Sequence, residues 1–282
     1  MATKIIIDSA SDIVEEEAKD LGIILIPMSI RFDDDEYLDG FNITKNQFFE
    51  KLIENVTLPK TSQINPETFK EKFKEVVENG DEAVVITISS KLSGTYSSAV
   101  KASNEYKDKI FVVDSLNASL GERILFNYAY SLLKKNKSAK EIADELNEVK
   151  YRLHLLAMLD TLKYLRKGGR ISAFVAFAGE IMSIKPVIAV KNGEVKLVGK
   201  AMGSKKAGNL LNKLVAENGI DFDMPYCVAY SGMDTKLLDK YVADNDSIWK
   251  DHTQDIPKYQ IGSTIGTHIG PNAIGVAYFS KE

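Results

Sequence analysis

Short apolar runs alternate with amphipathic stretches along the first half of this chain. The runs Lys4–Asp8, Ile23–Arg31, Ala83–Ile88 and Ile110–Asp114 are rich in Ile and Val and end in polar turns, the pattern of strands buried in a sheet. Helix starts lie between them. Thr44 with Gln47 and Ser138 with Glu141 have capping-box spacing, and Asn65 precedes a proline, Pro66, at a first helical position. Strand–helix–strand order predicts a mainly parallel sheet with helices on both faces. From Leu153–Asp160 onward the texture changes. Val187–Lys191 and Glu194–Val198 flank Asn192-Gly193, a strong hairpin signal, so antiparallel pairing enters here. The expectation is an α/β protein of two domains. Residues 1–151 form an N-terminal three-layer domain with a mainly parallel sheet, and residues 152–282 a C-terminal α/β domain with a mixed, partly antiparallel sheet. A length of 282 residues, beyond the usual ~100–200 of one domain, agrees.

Composition narrows the setting. With 44% hydrophobic and 27% charged residues the chain is ordinary for a globular protein, and no apolar run approaches the ~20 residues that span a bilayer. The N-terminus runs directly into a strand with no export signal, and the single cysteine, Cys227, sits in an apolar run as a buried thiol. Both point to the cytoplasm. Charge is uneven: residues 161–213 hold eleven Lys and Arg against Glu180 and Glu194, a net +9 in a chain of −4, which leaves −13 elsewhere. Such a segment suits an acidic partner, partner-borne phosphates, or simply a solvated lysine-rich face. Nucleic acid is disfavoured because no base-stacking module accompanies the charge. Asp33-Asp34-Asp35-Glu36 lacks the alternating ligand spacing of a calcium loop and reads as a solvated turn, so no metal is expected.

Three polar segments stand out: Thr61-Ser62-Gln63, Ser89 to Tyr96, and Ile265 to Pro271. The middle one follows an apolar strand and precedes helical spacing, a position where ligands bind at the carboxyl edge of a sheet and free helix N–H groups favour an anion. Ser93 and Gly94 would supply a hydroxyl and an unhindered backbone there; Ser93 reads equally well as a plain helix N-cap. Phosphate-binding, dinucleotide, zinc-protease and Cys-x-x-Cys signatures are absent, so nucleotide and metal chemistry are not expected from this chain itself. Of three histidines, His154 lies in an apolar strand as a core residue and His252 in a charged loop. His268, among Gly266, Thr267, Gly270 and Pro271, is the candidate for a site.

Asp8-Ser9-Ala10-Ser11-Asp12, Thr61-Ser62-Gln63, Ser93-Gly94-Thr95-Tyr96, Val113-Asp114-Ser115, Leu165 to Ile171, Ile184-Lys185-Pro186 and Gly266 to Ala277 together resemble the DegV family over essentially the full length. The resemblance implies a protein that binds a long-chain fatty acid, such as palmitate, stearate or oleate, in a tunnel between two domains. Characterised members act as the FakB subunit of a bacterial fatty acid kinase, presenting the acyl carboxylate to a separate ATP-binding subunit in phospholipid metabolism. By resemblance, Thr61 and Ser93, with Gly94, match the carboxylate-binding positions and His268 the histidine beside them; Ser62 and Arg170 lie near the polar mouth. Phe174, Val175, Phe177, Ile181 and Met182 are tunnel candidates whose spacing also reads as ordinary helix core. Arg166, Lys167, Arg170, Lys205 and Lys206 are the expected docking surface for the kinase subunit. The family's proline directly after Thr-Ser-Gln is displaced here by Ile64 and Asn65, and its usual second glycine after proline is Asn272. No cofactor is expected, no catalytic residue is assigned, and transient contact with a membrane surface is compatible with the reading. The alternatives are a stand-alone enzyme, either a Ser93/His268 hydrolase or a carbonyl-binding kinase-like protein, and a lipid-sensing regulator.

Overall fold

The structure is a computed structural model and describes residues 2–171, 183–249, 252 and 254–281. The first half contains β1 (Thr3–Asp8), α1 (Glu15–Leu21), β2 (Ile24–Ile26), β3 (Ser29–Phe32), β4 (Asp35–Leu38), α2 (Lys45–Glu54), β5 (Lys60–Ser62), α3 (Pro66–Glu78), β6 (Glu82–Thr87), α4 (Thr95–Ser103), β7 (Ile110–Asp114), α5 (Leu120–Lys134) and α6 (Ala139–Val149). The second half continues with β8 (Leu153–Met158), α7 (Lys163–Lys167), β9 (Ile184–Lys191), β10 (Glu194–Met202), α8 (Gly203–Asn218), β11 (Cys227–Tyr230), α9 (Lys236–Asp244), α10 (Asp246–Trp249), β12 (Lys258–Gln260), α11 (Ser263–Ile269) and β13 (Ile274–Phe279).

Local capping chemistry sets the helix starts. Thr44 and Ser138 each accept the N–H three residues on while Gln47 and Glu141 reach back, and Asn65 caps α3 with Pro66 in its first turn. The parallel sheet runs β2-β1-β6-β7 and the mixed sheet β10-β9-β8-β13-β11-β12. One face of the parallel sheet buries Phe69 and Phe73 of α3 with Ala99 and Ala102 of α4. Its other face and one face of the mixed sheet both pack on α5, whose Leu120, Ile124 and Leu125 are fully buried. The far face of the mixed sheet is covered by α8 and α9 through Leu211, Val215, Leu238 and Val242. An α5-centred layer is thus shared by two sheets.

The apolar run Ile23–Arg31 is not one strand. It divides at Pro27, which has no N–H to give a ladder, while the N–H of Met28 bonds to Ser9 Oγ at 2.9 Å. β2 therefore joins the parallel sheet, and β3 pairs antiparallel with β4 and β5 in a separate three-stranded sheet. Asp33 and Asp34 form the tight turn between β3 and β4, exposed to solvent. Asn192 and Gly193, both at positive φ, join β9 to β10, as their sequence predicts.

Candidate functional site: an apolar cavity with one polar end

β6 is buried along its whole length and delivers the chain into the loop Ile88–Gly94 at its carboxyl edge. That loop is folded on itself by Ser89, whose carbonyl accepts the N–H groups of Leu92 and Ser93. Helix α4 starts at Thr95 with Gly94 as its cap residue, so Ser93 is not the N-cap. Instead, Ser93 Oγ shares a 2.9 Å hydrogen bond with Thr95 Oγ1. Strand β5 lies alongside: Thr61 pairs with Ile30, and the N–H of Ile64 donates to Thr95 Oγ1. Gly94 leaves room for the Gln63 amide, since a methyl group at that position would fall 1.9 Å from Gln63 Oε1 and displace that side chain. The inserted Ile64 is buried in the core under α3, which anchors the loop despite its altered spacing.

The third contribution comes from α11. Its N-terminal N–H groups are taken by two acidic side chains from the first half. Asp39 accepts from Ser263 and Thr264 at 3.0 Å each, and Asp12 accepts from Gly262 at 2.7 Å. Lys45 Nζ ties the same region together, donating to the carbonyls of Asp12 and Gln260. Thr264, Ile265, His268 and Ile269 then share one face of the helix. His268 Nε2 meets Thr61 Oγ1 at 2.9 Å, while its Nδ1 has no partner among the described residues. Burial, reinforced by the nearby Arg170 charge, pushes His268 down to about 4, so the ring is neutral at physiological pH.

These elements enclose a cavity of about 270 Å³. Thr61, Gln63, Ser93, Gly94, Arg170 and His268 all line it. The rest of the described lining is chiefly apolar, from the mixed sheet and α5. β-strand alternation turns Leu155 and Ala157 of β8, with Ile188 and Val190 of β9, toward the cavity, whereas Leu156 and Met158 face the helices behind. Arg170 is exposed at the edge, donating to the carbonyls of Leu92 and Gly168. The geometry suits an amphiphile with one small polar head. It does not assemble a serine–histidine pair, because Ser93 is bonded to Thr95 and His268 to Thr61. Among the described residues no cluster of acidic, histidine or cysteine side chains could hold a metal.

Other predicted positions fall apart from this group. Ser62 is exposed and does not line the cavity. Phe174, Val175, Phe177, Ile181 and Met182 lie outside the described residues. Arg166 and Lys167 line a groove next to the cavity together with Arg170, but Lys205 lines a different cleft beside Lys240 and Tyr241, and Lys206 is exposed on α8. The structure does not bring the five basic residues into one surface. His154 is only partly buried and stacks on Tyr278; His252 stacks on Phe222 at 4.3 Å between ring centres, although its surrounding sequence is charged. Gln63 was named within its polar segment but given no role at the site, and the cavity face of β8 and β9 was not singled out by sequence. The period-two alternation of Leu155/Ala157 and Ile188/Val190 is their signal, and it is the same signal that any buried strand gives.

One parallel and one mixed sheet around a shared helical layer, with an apolar cavity that has hydroxyls and a histidine at one end, define the class as an α/β protein with a pocket of small-ligand size. The family model described as an uncharacterised protein of the DegV family matches residues 2–281, and the chain belongs to that family. A DegV domain-containing protein of Caldanaerobacter subterraneus subsp. tengcongensis is 34% identical over 279 residues, 98% of each chain. A Thermus thermophilus DegV family protein whose solved structure is described as fatty acid binding superposes with a TM-score of 0.87 at 28% identity, over 100% of both chains. A stearic-acid-binding protein of Eubacterium ventriosum gives 0.84 at 27% identity, over 100% of this chain and 99% of the other.

Proposed function

We propose that this protein binds a long-chain fatty acid in the cavity and presents its carboxylate to a separate ATP-dependent kinase subunit. The observation that carries the reading is the convergence of Thr61, Ser93, Gly94 and His268 at one end of an otherwise apolar cavity. The fatty acids bound by the two similar structures support it. A buried tail contributes about 0.8 kcal/mol per CH₂, so the apolar wall supplies affinity and the polar end fixes orientation. The head would accept from the Thr61 and Ser93 hydroxyls, and neutral His268 would donate through Nε2 rather than provide a positive charge.

Presentation to a kinase rests on the same orientation. In the transfer, a carboxylate oxygen bonds to the γ-phosphorus of ATP as the bond to the β,γ-bridging oxygen breaks, giving acyl phosphate and ADP. The chain has no nucleotide-binding motif, so the partner brings ATP and Mg²⁺. Arg166, Lys167 and Arg170 beside the cavity mouth form the docking surface in this reading; Lys205 and Lys206 would belong to a second, separate contact. The setting is the cytoplasm; among the described residues no helix is long and apolar enough to cross a membrane.

The test is mass spectrometry of a denaturing organic extract of the purified protein, quantified against protein, followed by phosphorylation with the kinase subunit and Mg-ATP. Near-stoichiometric fatty acid is expected, and reversing Arg166 and Lys167 to Glu should impair phosphorylation while leaving the lipid bound. Absence of lipid together with no uptake of added fatty acid would overturn the binding reading; undiminished phosphorylation of the reversed protein would overturn the docking surface.

A further inference from the structure

The groove beside the cavity carries far more positive charge than one carboxylate needs. It measures about 770 Å³ and is lined by Lys91, Lys163, Arg166, Lys167, Arg170 and Lys196, with Glu194 as its acidic residue. Three separate pieces of chain build it. The β9–β10 turn is seated on the loop after β6, where Ser89 Oγ donates to the carbonyl of Gly193 at 2.8 Å, and Ile171 forms a bridge to Val195. These contacts bring Lys91 of the loop, Lys196 of β10 and Lys163 of α7 around one space. Lys196 pairs with Glu194, whereas Lys91, Arg166 and Lys167 make no ion pair among the described residues. Like charges gathered this way repel one another, and an anion placed among them relieves that repulsion.

The groove adjoins the cavity. Leu92, Arg170 and Val195 line both, so a head group larger than a carboxylate extends from the polar end into the groove while its tail remains in place. We infer that Lys91, Lys163 and Lys196 form a phosphate subsite for the phosphorylated head of the acyl chain, so that the protein holds acyl phosphate more tightly than the fatty acid itself. This rests on the fatty-acid reading above. A carboxylate carries a single negative charge at neutral pH, whereas a phosphate group on a chain carries about −1.5 to −2 and offers three acceptor oxygens. The lining shared with the cavity, Leu92, Arg170 and Val195, favours an acyl-linked phosphate as the occupant. The groove would retain the product until a reaction that uses acyl phosphate as an acyl donor removes it.

The experiment displaces a bound fluorescent fatty acid with hexadecanoate and, separately, with hexadecyl phosphate, a stable stand-in for the acyl phosphate. Hexadecyl phosphate should bind about tenfold more tightly at low salt, with the advantage shrinking as salt is added. In the triple variant Lys91→Gln/Lys163→Gln/Lys196→Gln the two ligands should come within about twofold of each other, with hexadecanoate affinity unchanged within about twofold. Equal affinities in the parent, or an advantage that survives in the triple variant, overturn the subsite. Binding of ATP alone that the triple variant weakens assigns the groove to a nucleotide and also overturns it. Failure of the parent to bind hexadecanoate removes the fatty-acid reading itself, a result distinct from either.

Discussion

The two ends of α11 lie in opposite electrostatic settings. At its N-terminus, Asp39 and Asp12 from the first half occupy the free N–H groups, deep in the protein and with every contact supplied by the chain. Nearby Asp8 is held by the N–H groups of Ala10 and Ile88. Burial nonetheless pushes Asp8 up to about 7 and Asp12 to about 6, and raises Glu122, which has no hydrogen-bond partner among the described residues, well above the usual carboxylate range. At the C-terminal end the helix presents His268 to an apolar cavity beside two hydroxyls, a small polar set facing space rather than a carboxylate of the protein. The first arrangement is a structural clamp and the second an open site. Both depend on the same seven-residue helix, so the clamp positions the site.

The comparison is broken most severely at Asp39. Asp39→Ala leaves the buried N–H groups of Ser263 and Thr264 without acceptors, and at about 1–3 kcal/mol for each the expected loss is roughly 2–6 kcal/mol. Urea unfolding measures it, and Asp39→Asn should recover part by restoring one acceptor. A change below about 0.5 kcal/mol would show that the clamp does not hold α11.

Changes at the open end should act chiefly on the ligand. Thr61→Val with Ser93→Ala is expected to weaken fatty-acid binding by about 10- to 100-fold, two hydrogen bonds to a charged head, in a fluorescent displacement assay. Unaltered affinity would place the head elsewhere in the cavity.

A further effect is a tilt in the pH dependence of stability. The unfolded chain protonates His268 near 6.5, but the folded ring only near 4, so in that window the unfolded state binds more protons and stability falls as pH drops from 6.5 toward 4. Asp8 and Asp12 act with the opposite sign: the folded protein keeps protons there that the unfolded chain releases above 3.8, so their contribution falls as pH rises toward 7 and 6. His268→Gln should therefore gain stability relative to the parent at pH 4.5 compared with pH 7.5. Urea midpoints at the two values measure it, and a pH-independent difference would show that the ring titrates normally in the folded protein.

How much of this could be read in advance follows the range of the interactions. The capping residues Thr44, Asn65 and Ser138 and the turn Asn192-Gly193 work within four residues, and all were legible. The strand and helix alternation likewise predicted both sheets. β5 was not legible as a strand, because Lys60–Ser62 is polar and its partner β3 lies about thirty residues earlier. The roles of Asp12 and Asp39 depend on N–H groups more than 220 residues away, and no local pattern marks them. Thr61 and His268, 207 residues apart, could be paired only through resemblance to a family. Lys205 and Lys206 were grouped with Arg166 because they are close in sequence, but β9 and β10 intervene and carry α8 to a different face of the mixed sheet.

One feature of the mixed sheet bears on how the protein comes into being. β13 lies between β8 and β11, paired with both, and α11 immediately precedes it. The parallel sheet has all its strands by residue 114, so it can form while synthesis continues. The mixed sheet remains split, and His268 has no place to dock, until the ribosome has released residues 263–279. A chain that stops after the parallel sheet but before residue 263 would therefore lack both the strand that joins β8 to β11 and the helix that carries His268.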